Sequence, residues 1–82
     1  MGNNSYTNKG FKIVTGTGEV VYNFKAVIPL ANTVISAITF DTNAGYAGDS
    51  AIVGKTLTAG VIYPIHGKSI TLTSGSVFLE GF

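Results

Sequence analysis

The stretch Ser69-Ile70-Thr71-Leu72-Thr73-Ser74-Gly75-Ser76-Val77-Phe78-Leu79-Glu80 decides the fold class. Apolar and polar residues alternate with a period of two on both sides of Ser74-Gly75, the pattern of strands with one buried face. Reading Ser74-Gly75 as a two-residue turn pairs Leu72 with Val77 and Ile70 with Leu79 on that face. The other face then holds Thr73 with Ser76, Thr71 with Phe78 and Ser69 with Glu80, and a slip of one residue would mix the two sets. Phe78 is the apolar exception on the polar face, where an aromatic side chain either lies under a loop or meets another subunit.

Working outward, the same chemistry recurs along the chain. Thr, Val, Ile, Tyr and Phe dominate and eleven glycines punctuate them, as in short strands joined by tight turns. No window has the i, i+3, i+4, i+7 apolar spacing of a capped helix. Phe11 to Val14 reads as a strand, with Thr15-Gly16-Thr17-Gly18 turning into a longer strand from Glu19 to Ile28. There Val20, Tyr22, Phe24, Ala26 and Ile28 share one face, opposite Val21, Asn23, Lys25 and Val27. Pro29 cannot donate to a ladder and should end this strand or place it at an edge.

Leu30 to Thr33 reads as a corner, and Val34 to Phe40, apolar on both faces apart from Ser36 and Thr39, as the central strand. Residues 41–50 read as a loop. Ala51 to Val53, Lys55 to Ala59 and Val61 to Ile65 read as short strands separated by glycine turns. The expected fold is all-β: a small antiparallel β-barrel or β-sandwich of about six to eight short strands, oligomeric. Residues 1–10, rich in asparagine and without alternation, read as an extended N-terminal arm, and residues 11–82 as a single β-domain.

Composition argues for oligomerisation. A domain of 82 residues has little core to stabilise it and usually needs disulfides, a metal or a partner. There is no cysteine, and His66 with the scattered Glu19, Asp41, Asp49 and Glu80 offers no zinc-ligand spacing. Charged residues are only 11% of the chain against 45% hydrophobic, an unusually uncharged surface for a free monomer. Five lysines, no arginine and a net charge of +1 give little to neutralise phosphates or read bases, so no nucleic-acid partner is expected.

The stretch Met1 to Tyr6 has neither a basic n-region nor an apolar h-region, so no secretory signal is read there. Asn3-Asn4-Ser5 matches a glycosylation pattern that would matter only after export. Tyr6 stands where a myristoylation signal needs Ser or Thr. The longest apolar run, Ala26 to Phe40, is broken by Pro29, Asn32, Thr33 and Ser36, so no membrane span is expected.

Each catalytic or ligand motif considered has a simpler reading. Gly48 to Thr56 ends in Gly-Lys-Thr like a phosphate-binding loop, but has five residues between its glycines instead of four and no strand–helix context, and reads as a glycine bend. Gly16-Thr17-Gly18 lacks the third glycine of a dinucleotide fingerprint, Val21 standing there. In Asp41 to Ile52 the calcium-loop positions filled by Gly45, Tyr46 and Ile52 lack the required ligands. His66 reads as a solvated turn histidine. No nucleophile elbow is present, and so small a domain has little room for a catalytic cleft, so no enzymatic activity and no cofactor are expected.

The segment Gly54-Lys-Thr-Leu57-Thr-Ala-Gly60-Val-Ile-Tyr63-Pro64-Ile65-His-Gly67-Lys-Ser-Ile70-Thr-Leu72-Thr-Ser74-Gly75-Ser-Val77 resembles the endings of small structural proteins of tailed bacteriophages, in which a glycine and a Tyr-Pro or Leu-Pro precede a final hairpin with Ile-x-Leu-x-Ser-Gly. The resemblance implies a virion protein made in the bacterial cytoplasm, a capsid decoration or cement protein that binds the major capsid protein as a homo-oligomer such as a trimer. A tail or fibre-associated adsorption module is the alternative, with a ligand expected near Tyr46. The resemblance carries over no functional residues. The surface that needs covering points instead to interface candidates: Asn3, Asn4 and Tyr6 in the arm, Phe11, then Asn43, Tyr46 and Asp49 in the loop, and Phe78 and Phe82 at the end of the chain.

Overall fold

The computed structural model describes residues 10–40 and 48–81. They form six strands: β1 (Phe11–Val14), β2 (Val20–Pro29), β3 (Thr33–Phe40), β4 (Thr56–Leu57), β5 (Gly67–Ser74) and β6 (Val77–Gly81). One turn of 3-10 helix spans Ser50–Ile52. The strands pair antiparallel in the order β1-β6-β2-β5-β3-β4, and this one sheet curls into a half-barrel. The chain is all-β, as its alternation requires, and the sheet is barrel-like but open.

The curl is generated inside β2. Its first half is in register with β5, pairing Val20 with Ile70 and Phe24 with Gly67. Its second half is in register with β6, pairing Phe24 with Gly81, Ala26 with Glu80 and Pro29 with Val77. The register shifts on both sides of Phe24, between Val21 and Phe24 and again between Phe24 and Ala26. Each shift inserts one extra residue, and such bulges bend a strand and increase its twist. The bend also reverses the expected faces. Phe24 is fully buried, and the next member of the packed core cluster is Val27, three positions on, while Ile28 is only half buried. The sequence pattern had put Val27 outside and Ile28 inside; the extra residue after Phe24 exchanges them.

Phe24 fits because its β5 partner is glycine, while its β6 partner, also glycine, lets the Tyr22 hydroxyl and the Gly10 carbonyl approach. A Cβ on Gly67 would lie 2.4 Å from Phe24 Cζ, and one on Gly81 would lie 2.6 Å from Tyr22 Oη and 2.8 Å from the Gly10 carbonyl oxygen. The aromatic ring fills the space that the missing side chain leaves. Around it the concave side collects Val14, Val27, Ile35, Leu57, Ile70, Leu72, Val77 and Leu79. Each such side chain contributes roughly 1.5–3 kcal/mol on burial.

Thr33 ties the two chain corners together. The hydroxyl of this fully buried residue reaches the Ala31 carbonyl (2.8 Å) and the Ser76 carbonyl (3.1 Å) as donor and accepts from the Ser76 amide (3.2 Å). With one proton it donates to one carbonyl at a time. Gly75, at φ +90, passes so close that a Cβ there would lie 2.3 Å from Thr33 Oγ1. The β2–β3 corner and the β5–β6 corner are thereby locked side by side, and the Leu30 amide donates to the Ser76 carbonyl at 2.9 Å.

Several local expectations are corrected. Ser74-Gly75 does not close a hairpin: β2 lies between β5 and β6, so Leu72 and Ile70 do not pair with Val77 and Leu79, although all four are core residues. Likewise Gly16 does not close a hairpin, because β6 lies between β1 and β2. β3 is next to the edge, covered on its far side only where Thr33 and Val34 meet Leu57 and Thr56. Ala51 to Val53 is not a strand: the Asp49 carboxylate accepts from the Ala51 amide at 2.9 Å and starts the 3-10 turn. Val61 to Ile65 contributes a single bridge, Tyr63 to Val27.

Two outcomes follow. Gly67→Ala lowers stability by about 1–3 kcal/mol because the buried Phe24 ring must move, whereas Gly16→Ala, with nothing within 4 Å of the new Cβ, changes it by less than about 0.5 kcal/mol; equal melting temperatures for the two variants would contradict the bend. Thr33→Val keeps the shape but strands the Ser76 amide, so the urea midpoint falls by an amount corresponding to about 1–3 kcal/mol; an unchanged midpoint would show that the hydroxyl does not join the corners.

Candidate functional site

Of the nine interface candidates, the structure brings Phe11 and Phe78 together. Asp49 stands apart at the 3-10 turn, and Asn3, Asn4, Tyr6, Asn43, Tyr46 and Phe82 lie outside the described residues, as do residues 1–9 of the expected arm. The Phe11 and Phe78 rings are stacked with centroids 5.0 Å apart and planes inclined by 11°. They meet on the convex face of the sheet because β1 and β6 alternate: Val14, Val77 and Leu79 point to the core, and Phe11, Ile13, Phe78 and Glu80 point away from it.

The bulge in β2 widens this into a row. Ile13 and Ile28 stand opposite Phe78 on its two neighbouring strands. On the far side of β2, the Val27 amide donates to the Tyr63 carbonyl (2.8 Å) and the Tyr63 amide to the Val27 carbonyl (2.9 Å). Tyr63 packs on the core, and its hydroxyl accepts from the Thr58 amide at 2.9 Å. Alternation then turns Ile62 outward into the next place of the row. The result is Ile13–Phe78–Ile28–Ile62 with Phe11 beside it. Phe11 is 60% exposed, Ile13 42% and Ile62 64%, high values for large apolar groups gathered on one face. Lys25 and Glu80 share this face with their charges 4.0 Å apart, so it carries little net charge. β1 also leaves its outer edge without a paired strand among the described residues.

A second feature lies across the molecule. A cleft of about 490 Å³ opens between the end of β3, the 3-10 turn and the segment entering β5, lined by the apolar Phe40, Ile52, Pro64 and Ile65 and the polar Asp49, Lys55 and His66. Gly48 lies against the Phe40 ring, where a Cβ would come within 2.3 Å of it. Gly54, at φ +88, donates to the Ile35 carbonyl at 2.9 Å, and the Lys55 amide donates to the Ile52 carbonyl at 3.1 Å, which fixes the backbone that carries Lys55. Among the described residues no three His, Asp or Glu side chains are grouped to hold a metal ion, and no helix is long and apolar enough to cross a membrane.

Reading the sequence did not single out Ile13, Ile28 or Ile62, nor the grouping of Phe40, Lys55 and His66. The signal available for Ile62 was the alternation of Val61 to Ile65; for Ile28 there was none, because the bulge that turns it outward has no local signature. No protein-family model matches the chain, and comparison with curated proteins and with solved structures finds no match.

The ring stack is measurable as a coupling. In a double-mutant cycle, Phe11→Ala and Phe78→Ala show an interaction energy of about 0.5–1.5 kcal/mol, with both single variants still folded because neither ring belongs to the core. Strictly additive effects would show that the two rings do not touch.

Proposed function

We propose that this chain is a non-enzymatic structural protein that self-associates through the convex face centred on the Phe11–Phe78 stack. The observation that carries the reading is the row Ile13–Phe78–Ile28–Ile62, large apolar side chains turned away from the core on a face with a single close charge pair. Contiguous apolar surface of this kind is characteristic of protein interfaces. A second copy is the occupant that matches it best, since two such faces meet without a net charge to desolvate. The composition supports the same reading, with few charges to keep a monomer apart from its neighbours.

The resemblance of Gly54 to Val77 to the endings of small tailed-phage structural proteins supports reading this assembly as part of a virion. There the chain acts as a capsid decoration or cement protein, a homotrimer bound to the major capsid protein. The strand edge of β1 and the convex face give such a protein two ways to contact neighbours, by strand addition and by apolar packing.

Size-exclusion chromatography with light scattering tests the self-association. The expected result is a mass that is a multiple of 8.5 kDa, falling to one chain in Ile13→Lys and Ile62→Lys with the circular dichroism unchanged. A wild-type monomer over the micromolar to millimolar range would overturn it. For the virion reading, the protein co-purifies with capsids in a fixed ratio to the major capsid protein. A handful of copies per particle would favour the tail, and abundant protein with no particle bearing it would contradict both.

A further inference from the structure

We propose that the cleft between the 3-10 turn and the entry to β5 binds a small carboxylic acid with an apolar body, aryl or short alkyl, whose carboxylate is held by Lys55 and His66. The proposal stands apart from the self-association, since the cleft shares no residue with the convex face.

The size and lining suit a small molecule. A volume of about 490 Å³ lies within the range of small-ligand sites, roughly 300–1,000 Å³, which are mostly apolar with a few convergent polar groups. Phe40, Ile52, Pro64 and Ile65 supply the apolar part, and Asp49, Lys55 and His66 the polar part.

Lys55 and Asp49 are the charged groups of the cleft's lining. Lys55 makes no ion pair with any carboxylate of the described residues. Asp49, which also lines the cleft, already uses Oδ1 to accept the Ala51 amide at 2.9 Å, and is held there as the cap of the 3-10 turn. It is therefore restrained from swinging onto Lys55. The Lys55 ammonium and the His66 imidazole, both lining the cleft, offer donors to a carboxylate, and a charged hydrogen bond is about twice as strong as a neutral one. A neutral amide of the same shape loses that interaction.

The walls are also pre-formed. The turns that carry Lys55 are closed by backbone bonds from Val53 to Ser50 (3.1 Å) and from Lys55 to Ile52 (3.1 Å), and Pro64 limits the backbone next to Ile65. A ligand therefore orders few groups on binding, which lowers the cost of association.

The test is a ¹H–¹⁵N titration of the full chain with 3-phenylpropionate, with 3-phenylpropionamide as the uncharged control. Saturable shifts are expected at the amides of Ile52, Lys55, Ile65 and His66, with the amide ligand weaker by about tenfold or more. Lys55→Gln should weaken 3-phenylpropionate by a similar factor without changing the melting temperature, because Lys55 is exposed, whereas Lys68→Gln should leave binding as it was. No saturable shift up to about 10 mM, equal binding of acid and amide, or shifts confined to the Phe11–Phe78 face would each overturn the proposal.

Discussion

Everything in this fold depends on one buried ring packed over a glycine. Phe24 is the only position of β2 that is in register with both neighbours, Gly67 on β5 and Gly81 on β6. Bulges on either side of it bend the strand, so its two halves serve different partners. With a side chain at Gly67 the ring could not lie where it does. Without the ring the bend would enclose a void, and voids in a core this small cost several kcal/mol. The bend brings the β5–β6 corner back against the β2–β3 corner, where Thr33 and Ser76 join them.

The same bend produces the surface on which the functional reading rests. One inserted residue after Phe24 moves Val27 into the core and turns Ile28 outward. Ile28 then stands beside Phe78, and Tyr63, bridged to Val27, brings Ile62 to the far side. A regular β2 would have buried Ile28 and left Val27 on the convex face, breaking the row. Core packing and the exposed apolar row are thus consequences of one irregularity, and a substitution that straightens β2 alters both.

How much of this was legible in the sequence follows from which interactions are local. The sequence reading identified strands at Phe11–Val14 and from Ser69 to Thr73, within β5, and the shared face of Ile70, Leu72, Val77 and Leu79, because burial depends only on which face a residue occupies. The partner of each strand was not legible: a turn at Ser74-Gly75 is compatible with a hairpin, and only the bend at Phe24 inserts β2 in its place. The 3-10 turn was hidden because Ala51-Ile52-Val53 has strand-forming composition, while the deciding interaction is the Asp49 side chain capping the Ala51 amide. Phe78 was legible as an exception on a polar face, and its stacking partner Phe11 as an apolar residue at the start of the domain. That they touch follows from β1 pairing with β6, a contact between the two ends of the domain that no local pattern encodes. Lys55 was legible only as the start of a short strand and His66 only as a turn residue, since the cleft that unites them with Phe40 is made by three separate segments.

The central claim is that the convex row is where copies of this chain meet. The most direct measurement is an isotope-filtered NOE experiment on an equal mixture of labelled and unlabelled protein, which reports only contacts between chains. The account predicts intermolecular contacts from the side chains of Phe11, Ile13, Phe78, Ile28 and Ile62. Intermolecular contacts arising instead from the β4 edge or the Lys55–His66 cleft, with none from the Phe78 row, would contradict it.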